Sequence, residues 1–254
     1  MNGITLAAKQ LRYENKAFWR NPASVFFTFA FPLMFLFIFN AIFGGELTRG
    51  GREISGTTFY VPAIAVFSII TATYTNIAMT VSILRDEGLL KRIRGTPLPA
   101  WSYLAARMAH AMFIAFLLTA IVVLSGELIW DIDIPGETFG AFVLIVLVGG
   151  ASFCALGLAL TAVIPNSDAA PPIVNFSMLP LLFISDIFIP LDQAPELLKT
   201  ISNVFPVAHF AKAMHASFDP FDPSFRGGDL LIVAAWGVVG LILAIKFFSW
   251  EPRR

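Results

Sequence analysis

The residues best suited to chemistry are polar side chains inside otherwise apolar segments. Ser68, Thr71 and Thr75 are spaced i, i+3 and i+7, which places them on one face of a helix. Asn76 and Thr80 form a row beside them. Such hydroxyl and amide groups either hydrogen-bond one helix to another or form the wall of a partly polar path. Both interpretations are open from the residues alone.

A second apolar segment carries Asn175 together with three prolines, of which Pro180 lies in the interior of the segment. Prolines remove backbone hydrogen bonds and bend helices, which suits a helix that changes its packing. Aromatic side chains near both polar groups would give an apolar or aromatic cargo a stacking surface. The predicted path-lining residues are Phe67, Thr71, Thr75, Asn76, Asn175, Phe176 and Phe183.

The sequence carries no recognisable catalytic or metal site. No Asp, Glu, Lys, Arg or His lies at the middle of an apolar segment, which disfavours proton-coupled transport. The histidines His110, His209 and His215 do not have a metal-ligand spacing, and no cysteine accompanies them. A GxxxxGK[ST] phosphate loop is absent, so we do not expect the chain to hydrolyse a nucleotide by itself. We therefore predict no catalytic residue, metal or cofactor in this chain.

Membrane-spanning helices are the elements predicted to position these residues. Of the 254 residues, 57% are hydrophobic and 13% are charged, against about 25% charged in a soluble domain. This composition argues against a soluble enzyme, a disordered chain and a nucleic-acid-binding domain. A spanning helix needs about 20 mainly apolar residues. Six segments meet that requirement: 25–44, 59–84, 105–130, 139–164, 170–190 and 230–250.

The charges of the loops predict how the chain is oriented. Six spans place both termini on one side of the membrane, which then carries 12 basic residues, Arg253 and Arg254 among them, against five acidic ones. The opposite side carries five basic and 12 acidic residues. Because cytoplasmic loops carry the excess of Lys and Arg, we predict a multi-pass protein of the cell membrane with both termini in the cytoplasm.

Three segments outside the spans complete an all-α polytopic fold. Residues 1–24 contain an amphipathic helix that is expected to lie in the membrane interface. Residues 85–107 form a basic intracellular link between the second and third spans. Residues 191–229 form a long external link before the last span, with short helices predicted at 196–204 and 207–218.

Two of these segments resemble a known family. Residues 85–107 read RDEGLLKRIRGTPLPAWSYLAAR, similar to the signature loop of type-2 ATP-binding cassette (ABC) transporter permeases. Residues 187–215 read IFIPLDQAPELLKTISNVFPVAHFAKAMH, similar to the family's external segment of short re-entrant helices. The resemblance covers the whole chain, taken as a single transmembrane domain, residues 1–254. Two departures are Asp186, where many members have glycine, and His215, near a position often held by arginine.

The resemblance implies the permease subunit of an ATP-driven exporter. Two permease chains, identical or different, would form a dimer in the lipid membrane, and each would dock a separate nucleotide-binding ATPase subunit that holds ATP and Mg²⁺. The usual cargo is a lipophilic drug, a lipid or a lipid-linked substrate, here across a bacterial inner membrane. The residues implied for coupling to the ATPase are Arg85, Asp86, Glu87, Gly88, Lys91, Arg92, Arg94 and Pro97, and those for an external gate are Pro190 and Pro206.

Two other classes of protein are alternatives. An integral-membrane enzyme that modifies lipids would need a cluster of His, Asp or Arg at the membrane surface, and the basic cluster at 85–94 has no convincing catalytic partner. The other alternative is a membrane anchor subunit that transports nothing. Binding of a nucleotide-binding subunit, followed by an ATPase assay, separates the three. Nucleic acid is not an expected partner, because the 17 basic and 17 acidic residues cancel.

Overall fold

The computed structural model describes residues 3–49, 52–191 and 194–251. Arg253 and Arg254, which were counted among the basic residues on the side of the termini, lie outside these ranges. The elements, in chain order, are α1 (Gly3–Trp19), α2 (Pro22–Phe43), β1 (Glu46–Arg49), β2 (Arg52–Ser55), α3 (Gly56–Ile70), a π-helical segment (Thr71–Thr75), α4 (Asn76–Asp86), α5 (Leu89–Arg94), α6 (Ala100–Trp130), α7 (Phe139–Leu160), α8 (Ala170–Phe183), α9 (Glu196–Ser202), α10 (Pro206–Ser217) and α11 (Gly227–Phe247).

Membrane-spanning helices dominate the fold, as predicted. Within the described ranges, five helices are long and apolar enough to cross a membrane: α2, the continuous helix formed by α3, the π segment and α4, and α6, α7 and α11. A shorter apolar helix, α8, stands where the fifth span was predicted. The protein is therefore a multi-pass, all-α membrane protein, to which the antiparallel hairpin of β1 and β2 adds a small element that the sequence did not predict.

The predicted extent of the fifth span, residues 170–190, is wrong, because α8 ends at Phe183 after 14 residues. A helix of that length rises about 21 Å, less than the bilayer core of about 30 Å. Pro180 has no N–H to donate within the last turn. Asp186 then adopts a φ of 61°, which no continuing right-handed helix allows. The chain turns back at this point instead of continuing outward.

Helix α3 forms the centre of the bundle. All of its 15 residues except Thr58 are buried, as expected for a helix that is apolar on every side. By contrast, α2 buries only Pro32, Leu36 and Asn40. Its outer face exposes large side chains such as Phe26. Such apolar surface is stable in lipid or against another membrane helix.

Small residues allow the closest helix contacts in the bundle. A Cβ added to Gly237 of α11 would stand 2.4 Å from the Ser152 hydroxyl oxygen of α7, and one added to Gly240 would stand 2.9 Å from the Leu156 nitrogen. One added to Gly157 would stand 2.6 Å from the carbonyl oxygen of Tyr74 in the π segment. Glycines of this kind bring backbones together, as in other membrane helix pairs.

Helix α1, predicted over residues 4–19, packs along the first part of α6. Arg107 donates a hydrogen bond of 3.1 Å to Glu14, and both side chains are largely buried. The Ser102 hydroxyl donates to the Gly3 carbonyl oxygen at 2.9 Å. These contacts attach the helix to the end of the bundle where the 85–107 segment also lies.

The two short helices predicted in the 191–229 segment are present as α9 and α10. Helix α10 is joined to the start of α11, because the Nδ1 atom of His209 lies 2.6 Å from the Asp229 carboxylate. The Nε2 atom of His209 is 2.9 Å from the carbonyl oxygen of Asn203, which follows α9. The histidine therefore packs this segment together, as expected from the lack of a metal-ligand pattern.

Candidate functional site

A cavity of about 620 Å³ lies between α2, α6, α8 and the helix that contains the π segment. Its wall includes six of the seven residues predicted to line a path: Phe67, Thr71, Thr75, Asn76, Asn175 and Phe183. The two polar groups recognised in separate apolar segments therefore meet on one cavity. None of the described residues that line it is Asp, Glu, Lys or Arg.

The π-helical segment carries part of this wall. The backbone N–H of Asn76 donates to the Thr71 carbonyl oxygen, five residues earlier, which makes the turn wider than in an α-helix. Thr71 donates its hydroxyl to the carbonyl oxygens of Phe67 and Ser68 at 2.9 and 3.0 Å. Turns of this type often occur at functional sites. The sequence did not predict the π segment.

A hydrogen bond between helices accompanies the polar wall. The hydroxyls of Tyr74 and Ser177 lie 2.8 Å apart and join the π segment to α8. Ser68 is buried and donates to the Ile64 carbonyl oxygen at 2.7 Å, so it does not line the cavity. The polar residues of these segments therefore divide between helix contacts and the cavity wall.

Phe176, the seventh residue predicted to line a path, does not lie on the wall of this cavity. Its side chain is 83% exposed and lies outside the cavity wall. The residues of α8 that line the cavity are Asn175, Met178, Leu179, Leu182 and Phe183. This spacing of i, i+3, i+4, i+7 and i+8 describes one face of a helix, and residue 176 falls outside it.

The cavity is polar at one end only. Thr28, Thr75, Asn76, His110 and Asn175 lie toward the end of the bundle that carries α1 and the 85–107 segment. The half near the hairpin and the 191–229 segment is lined by apolar side chains. The cavity therefore has the polarity of an amphiphile, with a polar end and an aromatic body.

His110 was not expected to belong to this site. Its ring lines the polar end of the cavity and packs edge-on against Phe18 of α1 at 5.5 Å. Its Nε2 atom is buried and has no hydrogen-bond partner within the described part of the chain. No sequence motif marks this residue, because α1 and α6 approach each other only in the folded protein.

Phe188 also lines the cavity, toward its apolar end, and was not predicted from the sequence. Its ring centroid lies 5.7 Å from that of Phe35, 5.6 Å from Phe39, 5.3 Å from Phe67 and 5.2 Å from Phe183. The side chain is 5% exposed. Four aromatic neighbours make it the centre of a ring cluster that we call the Phe188 cluster.

The turn after α8 places Phe188 in this cluster. Asp186 has the left-handed φ of 61°, a conformation that glycine adopts more readily than other residues. Its carboxylate accepts from the Leu191 N–H at 3.0 Å. The Nε2 atom of His215 lies 3.0 Å from the Asp186 carbonyl oxygen, and its ring stacks on Phe59 at 4.8 Å.

The residues predicted for an external gate lie before and after α9. Pro190 is half-buried, two residues after Phe188, and Pro206 is the buried first residue of α10. Neither lines the cavity.

The 85–107 segment presents a basic surface. Gly88 has a φ of 73°, which glycine accommodates without strain, and it separates α4 from the six residues of α5. Leu90 is fully buried and anchors α5 to the bundle. The predicted coupling residues that are exposed are Glu87, Lys91, Arg92, Arg94 and Pro97.

The structure corrects the role expected of Arg85. Its side chain is fully buried rather than presented to a partner subunit. Its guanidinium donates to the carbonyl oxygen of Thr161 at 2.8 Å and to that of Ile164. Asp86, the next residue, is half-buried and accepts two hydrogen bonds from Ser167. Both residues therefore connect α4 to the loop between α7 and α8.

Comparisons with known proteins agree with this architecture. The ABC-2 type transporter family matches residues 10–218. The chain is 26% identical over 204 residues to the daunorubicin resistance ABC transporter permease protein DrrB1 of Streptomyces coeruleorubidus, covering 78% of this chain and 69% of that protein. It is 26% identical over 233 residues to nodulation protein J of Neorhizobium galegae, covering 89% and 84%. A probable multidrug ABC transporter permease, YbhR of Escherichia coli, is 23% identical over 153 residues, covering 60% and 41%.

Proposed function

The chain belongs to the ABC-2 type transporter family, and from this premise we propose that it is the permease subunit of an ATP-driven exporter of lipophilic amphiphiles. Membership makes it a transport permease and implies an ATPase partner. The direction of transport, the cargo and the coupling to ATP are the parts that we propose.

The cavity with one polar end carries this proposal. Its aromatic wall suits the apolar body of a cargo, and its amides and hydroxyls suit a small polar group. None of the described lining residues is Asp, Glu, Lys or Arg, which favours a cargo whose polar group is uncharged. With the termini in the cytoplasm, the polar end faces the inner leaflet, so the cavity matches the orientation of an amphiphile taken from that leaflet.

The exposed basic surface of the 85–107 segment is the proposed site for the ATPase. Lys91, Arg92 and Arg94 lie within four residues and are all exposed, which suits a cleft with acidic or carbonyl groups. The partner subunit would hold ATP and Mg²⁺. We expect the ATPase subunit to close when it binds ATP and to shift the permease from one arrangement of its helices to another. This shift requires that the two arrangements bind the ATPase subunit with different free energies.

A second permease chain is proposed to complete the path. The cavity is bordered by α2 and α8, and both helices expose large apolar residues such as Phe27 and Phe176. These surfaces would lie against the partner permease and the lipid of a bacterial inner membrane. The second chain is either identical to this one or a related permease.

The names of two relatives favour an exported, lipophilic cargo. One relative is a daunorubicin resistance permease and another is a probable multidrug permease. Resistance of this kind is achieved by removing a compound from the cell. We extend this direction of transport to the present chain as part of the proposal.

ATP-driven uptake of a fluorescent lipophilic amphiphile into inside-out membrane vesicles tests the proposal. Vesicles that contain the chain and its nucleotide-binding subunit are expected to accumulate the probe only with ATP. Arg94→Ala and Glu87→Ala are expected to lower uptake while the protein remains folded. Arg52→Ala is the matched control, because it removes an exposed arginine from the hairpin at the other end of the bundle.

Three results would contradict the proposal in different ways. Uptake that needs no ATP would exclude the exporter. A nucleotide-binding subunit that binds but drives no transport would favour an anchor subunit. Chemical conversion of a membrane lipid by the chain alone would favour the lipid-modifying enzyme.

A further inference from the structure

Two consecutive residues at the end of α4 attach it to the loop between α7 and α8. Arg85 donates from Nη1 to the Thr161 carbonyl oxygen at 2.8 Å and from Nη2 to the Ile164 carbonyl oxygen. The Asp86 carboxylate accepts from the backbone N–H of Ser167 at 2.9 Å and from its hydroxyl at 2.6 Å. We call these contacts the Arg85–Asp86 clamp.

The position of the Arg85 guanidinium explains how an arginine can be fully buried. Helix α7 ends at Leu160, and Thr161 is its C-terminal cap. The last carbonyl groups of a helix have no partner within the helix, and the helix dipole is negative at this end. A cation that donates to these carbonyl groups is stabilised, so the charge has a structural partner inside the protein.

The clamp joins two segments that serve different parts of the proposed mechanism. Asp86 is followed by Gly88 and then by α5, which presents the basic surface. Ser167 lies three residues before Ala170, the start of α8, whose inner face lines the cavity. The clamp therefore lies between the proposed ATPase contact and one wall of the cavity.

A second contact makes the connection rigid along α8. Tyr74 and Ser177 are hydrogen-bonded at 2.8 Å, and Ser177 lies ten residues beyond Ser167 in the chain. Helix α8 begins only at Ala170, so with a rise of about 1.5 Å for each helical residue Ser177 lies roughly 10 Å along the helix from its start. The contacts of Ser167 and Ser177 therefore attach the turn before α8 and the middle of α8 to the helix that contains the π segment and α4.

We propose that the Arg85–Asp86 clamp transmits displacement of the α5 segment to α8 and thereby changes the shape of the cavity. Arg85 and Asp86 are then positioning residues that act inside the permease, and the surface residues after them contact the ATPase. The inference rests on the proposed function, because it needs a partner that moves α5. It adds a route for that movement that does not run through the cavity itself.

The experiment follows α8 directly in the reconstituted complex with its nucleotide-binding subunit. A spin label attached to Phe176→Cys reports the surroundings of α8, since this side chain is exposed and outside the cavity. The native Cys154 is fully buried, which leaves the introduced thiol as the reactive one. The electron paramagnetic resonance spectrum, ATP hydrolysis and probe transport are measured with and without ATP.

We expect ATP to change the spectrum in the otherwise unmodified complex. Asp86→Ala should abolish that change and reduce transport at least tenfold, whereas ATP hydrolysis continues. Ser167→Ala keeps the backbone N–H that donates to Asp86, so it should cause a smaller loss of transport than Asp86→Ala. The double variant Asp86→Ala/Ser167→Ala should lose as much transport as Asp86→Ala alone, because both changes remove the same contact. Asp168→Ala is the matched control, since it removes an exposed acid one residue away.

Two outcomes would overturn the inference, and they are distinguishable. If Asp86→Ala leaves both the ATP-dependent change at α8 and transport intact, the clamp does not transmit the movement, although the proposed function stands. If the complex with native Asp86 and Ser167 transports nothing with ATP, the proposed function fails and the clamp fails with it. Equal losses in Asp168→Ala and Asp86→Ala would also contradict the clamp, because the effect would then not depend on its contacts.

Discussion

Replacement of Phe188 by alanine is predicted to open the apolar end of the cavity. Phe188 contacts four aromatic rings at centroid distances of 5.2–5.7 Å. Each aromatic pair contributes about 0.5–1.5 kcal/mol, so four pairs correspond to about 2–6 kcal/mol. Since such energies are not strictly additive, we take the lower value, which corresponds to roughly a 30-fold change in an equilibrium constant.

Leakage through the reconstituted protein measures this change. If the cluster holds the closed arrangement, Phe188→Ala should raise ATP-independent leakage of a lipophilic probe from proteoliposomes by about 30-fold or more. Phe183→Ala loses a single ring contact with Phe188, so it should raise leakage by only about 2- to 13-fold. Leu128→Ala should not change leakage, because this exposed side chain of α6 lies outside the cavity wall.

A second variant, Phe188→Leu, distinguishes an effect on leakage from an effect on folding. Phe188→Ala creates a cavity at a buried site, and similar changes cost soluble proteins about 3–5 kcal/mol. Phe188→Leu retains much of the apolar volume and removes the ring contacts, so it should fold like the native protein and still leak. Native-like leakage from a folded Phe188→Leu and a folded Phe188→Ala would refute the role of the cluster in closing the cavity.

Three further predictions concern packing, cargo and the N-terminal helix. Gly237→Ala places a methyl group against Ser152 of α7 and should lower thermal stability by about 1–3 kcal/mol, which a thermal unfolding assay in detergent measures. A Gly228→Ala control in open space should have little effect. Asn76→Leu should reduce transport of probes with a hydroxyl or amide group more than that of purely apolar probes, and an unchanged profile across a probe series would contradict it. Glu14→Ala removes the ion pair with α6 and should expose α1 to limited proteolysis, whereas unchanged cleavage rates would show that other contacts hold this helix.

The sequence predicts the spanning helices well because apolar length is a local property. The long helices begin and end within a few residues of the predicted segments, and residues 71, 75 and 76 meet the cavity as their helical spacing suggests. The prediction failed for the fifth span, where Asp186 takes a left-handed conformation that its residue type does not announce.

The site residues that the sequence did not predict are brought to the cavity by contacts between segments that are distant in the chain. Phe188 reaches the cavity because the chain turns back after α8, and His110 reaches it because α1 and α6 pack together. The carbonyl groups that bind Arg85 belong to residues 76 and 79 positions later in the chain. The residues next to Arg85 in the sequence therefore predict an exposed basic segment and give no sign that this side chain is buried. Phe176 lies outside the cavity wall although Asn175 lines it, because a difference of one residue rotates a side chain by about 100° around a helix.

We propose that a separate ATPase drives this permease through the basic 85–107 segment. A photo-reactive amino acid at Arg92, activated in intact cells, tests it most directly, with the same substitution at Arg52 as a control on the hairpin. We expect position 92, and not position 52, to crosslink to a nucleotide-binding subunit. A position 92 that captures no such subunit and reacts with a membrane-impermeant reagent added outside the cell would contradict it.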